Sequence, residues 1–398
     1  MKILITSMFY AKSYGQGLCV QKLAEFLSAK GHKVMVFHGE KKEIKGRKNL
    51  EIKKIPSVGI KGIDLLAFSL NLKKKALQEK DFDVIYPQDY SFGLADFKKL
   101  GIPVVFHARG TVKGNSLNRP KTGFKTEFLR KAAIPLMVQL DKNCCENSQT
   151  IIAASGSIEK EIKGFYGISG KKIKIVSDGV DLKKFSSSTE LKKKAQKLRK
   201  KLGLKKNKIL LFAGRLVPQK GLLFLVKALP EIMRKIPETV LLIAGENTSE
   251  NHKKEIEKEI LKLGIKNKIK FLGYVEQEKM PELIELSDVI VSPSTYEPIG
   301  IINLEAIALN KPVIIPKSIG SINLLKDSAV TVNPENPQEI SSAVIKLFSS
   351  KKLYNKLAKK GRLNAKKADW NRIGKKIESI LEIASKKGKK TVKAVKAK

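Results

Sequence analysis

Cysteine, histidine, tryptophan and arginine are all scarce in this chain of 398 residues. Three cysteines, Cys19, Cys144 and Cys145, cannot form a disulfide framework for a protein of this size and point to a reducing compartment. The four histidines, His32, His38, His107 and His252, show no H-x-x-x-H grouping, and no cysteine pair has ligand spacing, which argues against structural zinc. No run approaches the roughly eighteen apolar residues of a membrane-spanning helix. The opening Met1-Lys2-Ile3-Leu4-Ile5-Thr6-Ser7 turns polar too soon for a secretory leader. The resulting expectation is a cytoplasmic protein, soluble or peripheral at the cytoplasmic face of a membrane. Only nine of the 79 cations are arginine, and aromatic residues make up 6% of the chain. A reader of phosphate backbones concentrates arginine and interleaves aromatics, so no specific nucleic-acid partner is expected. Lysine, in contrast, is everywhere, and with 38 acids the formal net charge is +41. Such a surface attracts polyanions and anionic membranes without any dedicated site.

A hydrophobic fraction of 42% excludes disorder over most of the chain, and its length suits two or three domains. Short runs rich in Ile, Val and Leu alternate with amphipathic stretches from end to end. In the first half the strand candidates are Lys2–Thr6, Lys33–His38, Leu50–Ile55, Asp83–Tyr86, Pro103–His107, Ile151–Ala154 and Ile173–Val176. The second series is Lys208–Ala213, Thr239–Ala244, Ile269–Leu272, Asp288–Ser292, Pro312–Ile315 and Ala329–Val332. Continuous apolar runs suit strands buried on both faces of a parallel sheet, and βαβα twice over predicts an α/β protein of two doubly wound, Rossmann-like domains. The pattern breaks near Gly179–Ser188, which places the domains at 1–180 and 181–371. A helix at Arg372–Ala384 follows, then a basic tail, 386–398, without an apolar face and expected to be disordered.

In open α/β sheets ligands bind beyond the carboxyl ends of the strands, so the residues there carry the chemistry. After the first strand, Tyr14-Gly15-Gln16-Gly17 precedes a helix expected from Leu18; glycines there allow a phosphate close to the backbone, or serve a simple turn. After the fifth stand His107 and, two residues on, Arg109, whose planar fork lysine cannot supply. In the second half, Gly214-Arg215-Leu216-Val217-Pro218-Gln219-Lys220-Gly221 joins a strand end to a helix start, with Arg215 and Lys220 able to hold a diphosphate. Farther on, Glu297 lies in a loop, Gly300 opens a helix, and Glu305 sits on that helix among apolar residues. A carboxylate there needs a partner, which ribose hydroxyls would provide.

These motifs resemble the retaining GT-B glycosyltransferases of family 4. The resemblance spans nearly the whole chain and is strongest from Lys208 to Trp370, where A-G-R-x-x-x-x-K-G, F-L-G-Y and E-x7-E stand in the family's order. It implies two domains facing each other across a cleft, with helix 372–384 packing back on the first. It also implies that Arg215 and Lys220 hold the nucleotide diphosphate, Glu305 the ribose and Glu297 hydroxyls of the transferred sugar. Gly300, Ile301 and Ile302 would offer amides to the distal phosphate, Tyr274 and Val275 would lie by the base, and His107 would contact the sugar near the reacting carbon. Gly15 and Gly17 would take part in donor binding. The chain departs from the family where the first-loop glycines are split, where Asp178 replaces the usual Asn of N-G-V-D, and where Gly245-Glu246 follows the strand ending at Ala244.

The expected function is transfer of a hexose from a UDP- or GDP-linked donor to a glycan or lipid-linked acceptor, retaining and without a catalytic metal or other cofactor. A GT-B nucleotide-sugar epimerase or sugar-phosphate synthase is the near alternative, and a non-enzymatic polyanion binder the distant one. A long insertion carries Lys113, Arg119, Lys121, Lys125, Arg130 and Lys131 ahead of the apolar Ala132–Val138. It reads either as an anionic-membrane docking segment or as a core helix with ordinary lysine-rich surroundings.

Overall fold

The computed structural model describes residues 1–10, 15–40, 43–57, 64–79, 81–95, 97–118 and 124–396, with the backbone alone for 98, 124–132 and 389–396. The chain forms two compact units. The first comprises Met1–Leu117, Lys121–Asp178 and Trp370–Lys398, and the second centres on Gly179–Asp369.

Every apolar run named above becomes a strand, with ends shifted by a residue or two. In the first unit these are β1 (Lys2–Ser7), β2 (Lys33–His38), β3 (Leu50–Lys54), β4 (Val84–Pro87), β5 (Val105–Ala108), β6 (Thr150–Ala153) and β7 (Ile173–Ile175). Their ladders run β3-β2-β1-β4 and β5-β6-β7, and a parallel bridge between Ile85 and Val104 links the two. The second unit holds β8 (Lys208–Ala213), β9 (Thr239–Ala244), β10 (Ile269–Gly273), β11 (Val289–Val291), β12 (Val313–Pro316) and β13 (Ala329–Val332), in the order β10-β9-β8-β11-β12-β13. All pairings along these ladders are parallel. Strand order therefore reverses between β1 and β4 in one unit and between β8 and β11 in the other, which is where a doubly wound sheet opens a crevice.

Alternation along the strands explains why the runs are apolar throughout. On β8, Ile209 and Leu211 enter one core while Leu210 and Phe212 enter the core on the opposite face. On β1, Ile3 and Ile5 pack on one side and Leu4 on the other. With helices covering both faces, neither set of side chains meets water.

Two expectations need correction. The first helix begins at Gly15, not Leu18, so Gly15 and Gly17 lie in its first turn, where helical amides have no intrahelical acceptor anyway. The carboxyl-terminal helix runs Trp370–Lys396, and the tail expected to be disordered from 386 continues it. The reason is packing: Ile373, Ile377, Leu381 and Ala384 bury one stripe in the first unit's core. Ser385 is also buried, and a Cβ on Gly388 would stand 2.7 Å from Pro103, so the stripe extends a turn beyond the apolar residues. Lysine and alanine are good helix formers, and no proline interrupts them. The inserted segment forms two helices, Val112–Leu117 and Phe124–Asn147, and the second buries Leu140, Cys144 and Cys145. Of its six cations, Arg119 and Lys121 lie outside the described residues, as do the side chains of Lys125, Arg130 and Lys131.

Candidate active site

In the second unit the loops after β8 and β11 are pressed together at the strand-order reversal. Gly221, at φ +71°, caps the helix Leu222–Lys235, and a Cβ there would lie 1.8 Å from the Pro293 carbonyl oxygen. Only glycine fits so near an opposing backbone. Gln219 stitches the loops: its carbonyl accepts from the Thr295 amide at 3.0 Å, and its Nε2 donates to the Tyr296 carbonyl at 3.1 Å. Across this seam Lys220 Nζ donates to Glu297 Oε2 at 2.5 Å, and Ser294 Oγ donates to the same oxygen at 3.3 Å. Lys220 and Glu297, assigned separately to phosphate and sugar, are thus direct partners. An ammonium has three donors, so one bond to Glu297 leaves others for a phosphate oxygen. Arg215 is exposed at the end of β8, and its guanidinium bonds to none of the described residues.

Gly300, at φ +77°, caps the helix Ile301–Ala308, and a Cβ there would stand 2.7 Å from Asn303 Nδ2. The first amides of that helix, including those of Ile301 and Ile302, point out of its amino end, where partial positive charge gathers. Glu305 sits one turn deeper, 5% exposed, and Gln277 Nε2 donates to its Oε1 at 2.5 Å. Burial pushes its carboxyl up to about 7, opposed by the Gln277 hydrogen bond and the Lys184 charge. Tyr274 is exposed beyond β10, and Val275 packs against the unit's core beside it.

The first unit places a different set at its strand ends. His107 is fully buried on β5, with Nδ1 2.7 Å from the Tyr86 hydroxyl and Nε2 unpartnered among the described residues. Burial, reinforced by the Arg109 charge, pushes its imidazole well below the ordinary range, so the ring is neutral. Arg109 Nε lies 3.0 Å from both carboxylate oxygens of Asp178, and its Nη1 donates to Gln88 Oε1 at 2.7 Å. Gln16, between Gly15 and Gly17, donates from Nε2 to the Gln88 carbonyl at 3.1 Å and so ties that helix start to the same network.

Several site residues gave little signal in the sequence. Gln219 and Gln277 stand at unremarkable spacings, and Asn303 has no distinguishing neighbour. Yet Asn303 is fully buried with both side-chain polar atoms unpartnered among the described residues. One group of three side chains capable of holding a metal occurs among the described residues: His32, Glu378 and Glu382, in the first unit. There His32 Nε2 is 2.8 Å from Glu378 Oε1, a link between the carboxyl-terminal helix and the β2 approach.

Comparison with known proteins matches residues 14–184 to the family "Glycosyltransferase Family 4" and residues 194–364 to "Glycosyl transferases group 1". An uncharacterised glycosyltransferase of Methanocaldococcus jannaschii is 28% identical over 238 residues, covering 59% of this chain and 60% of that protein. The chain spans between 42% and 66% of the length of the first curated relatives it matches. Among solved structures, Anabaena HepE in complex with UDP and glucose superposes with a TM-score of 0.76 at 21% identity, covering 96% of this chain and 99% of that one. Sucrose-phosphate synthase from Thermosynechococcus elongatus does so with a TM-score of 0.80 at 19% identity, covering 96% and 98%. The two family matches together span most of the chain, which belongs to the GT-B glycosyltransferases of family 4 and group 1.

Proposed function

We propose that this glycosyltransferase moves a hexose from a UDP- or GDP-linked donor to an acceptor hydroxyl, with retention at the anomeric carbon and without a catalytic metal. The observation that carries the reading is the seam between the loops after β8 and β11. It brings Lys220, Glu297 and the amino end of the helix beginning at Ile301 to one strand-order reversal. Arg215, Lys220 and the helix amides neutralise the leaving diphosphate, a task that preorganised cations and dipoles perform without a metal ion. Glu305, poised near neutrality, accepts from ribose hydroxyls, and Glu297 accepts from hydroxyls of the sugar. Tyr274 and Val275 flank the base. In a front-face path the acceptor oxygen bonds to the anomeric carbon as the bond to the phosphate oxygen breaks. The acceptor's proton passes to that departing oxygen. The neutral His107 contacts the sugar beside the reacting carbon, and Gly15 and Gly17 keep the helix start beside it unobstructed.

The acceptor side is read as a lipid-linked or membrane-proximal glycan, reached by a cytoplasmic enzyme that docks reversibly on an anionic membrane. This is supported by the net charge of +41 and by Leu136, which is exposed on the inserted helix. No described helix is long and apolar enough to cross a membrane. Transfer to a sugar phosphate is the second reading, favoured by the likeness to a sucrose-phosphate synthase. The test is incubation of the protein with UDP- and GDP-hexoses, alone and with lipid, glycan or sugar-phosphate acceptors, followed by proton NMR of the anomeric signal. A product with the donor's anomeric configuration, formed only with acceptor and undiminished in EDTA, is expected. Inversion, or reaction of the donor alone, would contradict the proposal.

A further inference from the structure

His107 lies on β5 and Arg109 follows just past the end of that strand, near enough for its charge to act on the imidazole. Each carries a buried polar atom without a partner among the described residues, Nε2 of His107 and Nη2 of Arg109. The remaining side-chain nitrogens of the two residues are bound. Tyr86 holds the imidazole by its other nitrogen, Asp178 takes Arg109 Nε, and Gln88 takes Nη1. The Arg109 and Asp178 side chains are 6% and 1% exposed, so this is a buried ion pair and not a surface contact. A buried pair of this kind adds little net stability but fixes its members rigidly. Two buried nitrogens without a partner among the described residues, in one hydrogen-bonded network, point to a ligand that supplies the missing bonds. The surroundings also limit what that ligand is. Asp178 cancels the guanidinium charge, and the His107 and Tyr86 rings are neutral, because burial holds the imidazole down and the phenol up. With no net charge, the place suits a hydroxyl better than a phosphate.

We infer that Arg109 is a second sugar-binding residue beside His107, donating Nη2 to a hydroxyl of the transferred sugar or the acceptor sugar, and that Asp178 is the positioning residue that aims it. This rests on the transfer reading above and names the substrate contact on the first unit. It also gives the two residues that stood out in the sequence, the isolated arginine and the aspartate replacing asparagine, a shared purpose as partners 69 positions apart.

Arg109→Lys tests it, because lysine can keep the charge pair with Asp178 but has no second nitrogen at the Nη2 position. UDP or GDP binding, which belongs to the second unit, serves as the folding control. The variant is expected to melt near the wild type and bind the nucleotide normally. It should lose about 10- to 100-fold in kcat/KM with the UDP- or GDP-hexose that the wild type uses, the loss typical of a charge-assisted bond to substrate. Asp178→Asn should lose a similar factor, and the double variant no more than the larger single loss, since aspartate acts through arginine. If Arg109→Lys melts early, the paired R109Q/D178N variant removes both charges together and should recover the melting temperature without recovering turnover. Wild-type turnover in a folded Arg109→Lys protein, or joint recovery of stability and activity in the pair, would overturn the inference. Failure of the wild type to turn over any such donor would overturn the transfer reading and this inference with it.

Discussion

The two units furnish their strand ends in opposite electrostatic styles. In the second, the loops after β8 and β11 meet backbone against backbone at Gly221 and present charge: Lys220 against Glu297, Arg215 exposed, and a helix amino end beyond Gly300. In the first, the strand ends hold a buried network that sums to neutrality: Tyr86 with His107, and Arg109 with Asp178 and Gln88. On the proposed reading, the same sheet topology supplies one site for a diphosphate and another for hydroxyls. The contrast shows that a doubly wound sheet dictates where ligands sit and leaves their chemistry to the residues at strand ends.

The largest expected effect breaks the charged side of that contrast. Lys220→Ala takes from a bound diphosphate one of its two cations, and truncating one partner of such a pair typically costs about 2–5 kcal/mol. Donor kcat/KM should fall by roughly two orders of magnitude or more, with circular dichroism and melting showing an intact fold. Turnover within a few-fold of wild type would remove the diphosphate from this seam.

Glu305 offers a more specific test, because its two expected effects have opposite signs. Its carboxyl is raised to about 7 in the folded protein and lies near 4.3 in an unfolded chain. The native state therefore holds the proton more tightly, and this group's contribution to stability is present below the unfolded value and is lost as pH rises through about 7. Glu305→Gln should remove that loss and make the protein more stable than wild type at pH 8, by up to about 3 kcal/mol. It should also bind donor more weakly, since the ribose needs an acceptor oxygen. In the wild type, donor binding through the ionised carboxylate releases a proton, so Kd should rise about tenfold per unit as pH falls below 7. Titration of UDP or GDP between pH 5.5 and 8.5 by calorimetry checks this, and a flat profile would assign the ribose elsewhere.

How much of this the sequence discloses depends on whether the relevant physics is local. Strands were visible because burial on both faces demands unbroken Ile, Val and Leu, as in Lys-Ile-Leu-Leu-Phe-Ala of β8. Gly300 was visible because a helix start after a strand needs no distant partner to be recognised. The Lys220–Glu297 bond was not, because its partners are 77 positions apart and meet only where β8 lies beside β11. The same holds for Arg109 and Asp178. The carboxyl-terminal helix outruns its expected end for a different reason: the turn after Ala384 packs through Ser385 and Gly388, which no hydrophobic pattern flags.

Smaller effects sharpen the picture. Gly388→Leu, pressed against Pro103, should unfasten the last turns of the carboxyl-terminal helix and lower stability by about 1–3 kcal/mol, as overpacking does. Nucleotide binding, which the proposal assigns to the second unit, should stay unchanged in that variant, and a fall in nucleotide affinity would show that the two sites are coupled. The smallest expected effect is none: EDTA should leave transfer rates as they are, and loss of activity restored by Mg²⁺ or Mn²⁺ would replace the side-chain clamp with a metal one.

The most direct test of the central claim is a thermal-shift screen of UDP- and GDP-hexoses against the wild type and Lys220→Ala. At about 100 times its dissociation constant, a true donor should stabilise the wild type by about 2.7 kcal/mol and leave the variant unshifted at the same concentration. Equal shifts in both proteins, or no shift with any nucleotide sugar, would contradict the placement of the donor at the seam between β8 and β11.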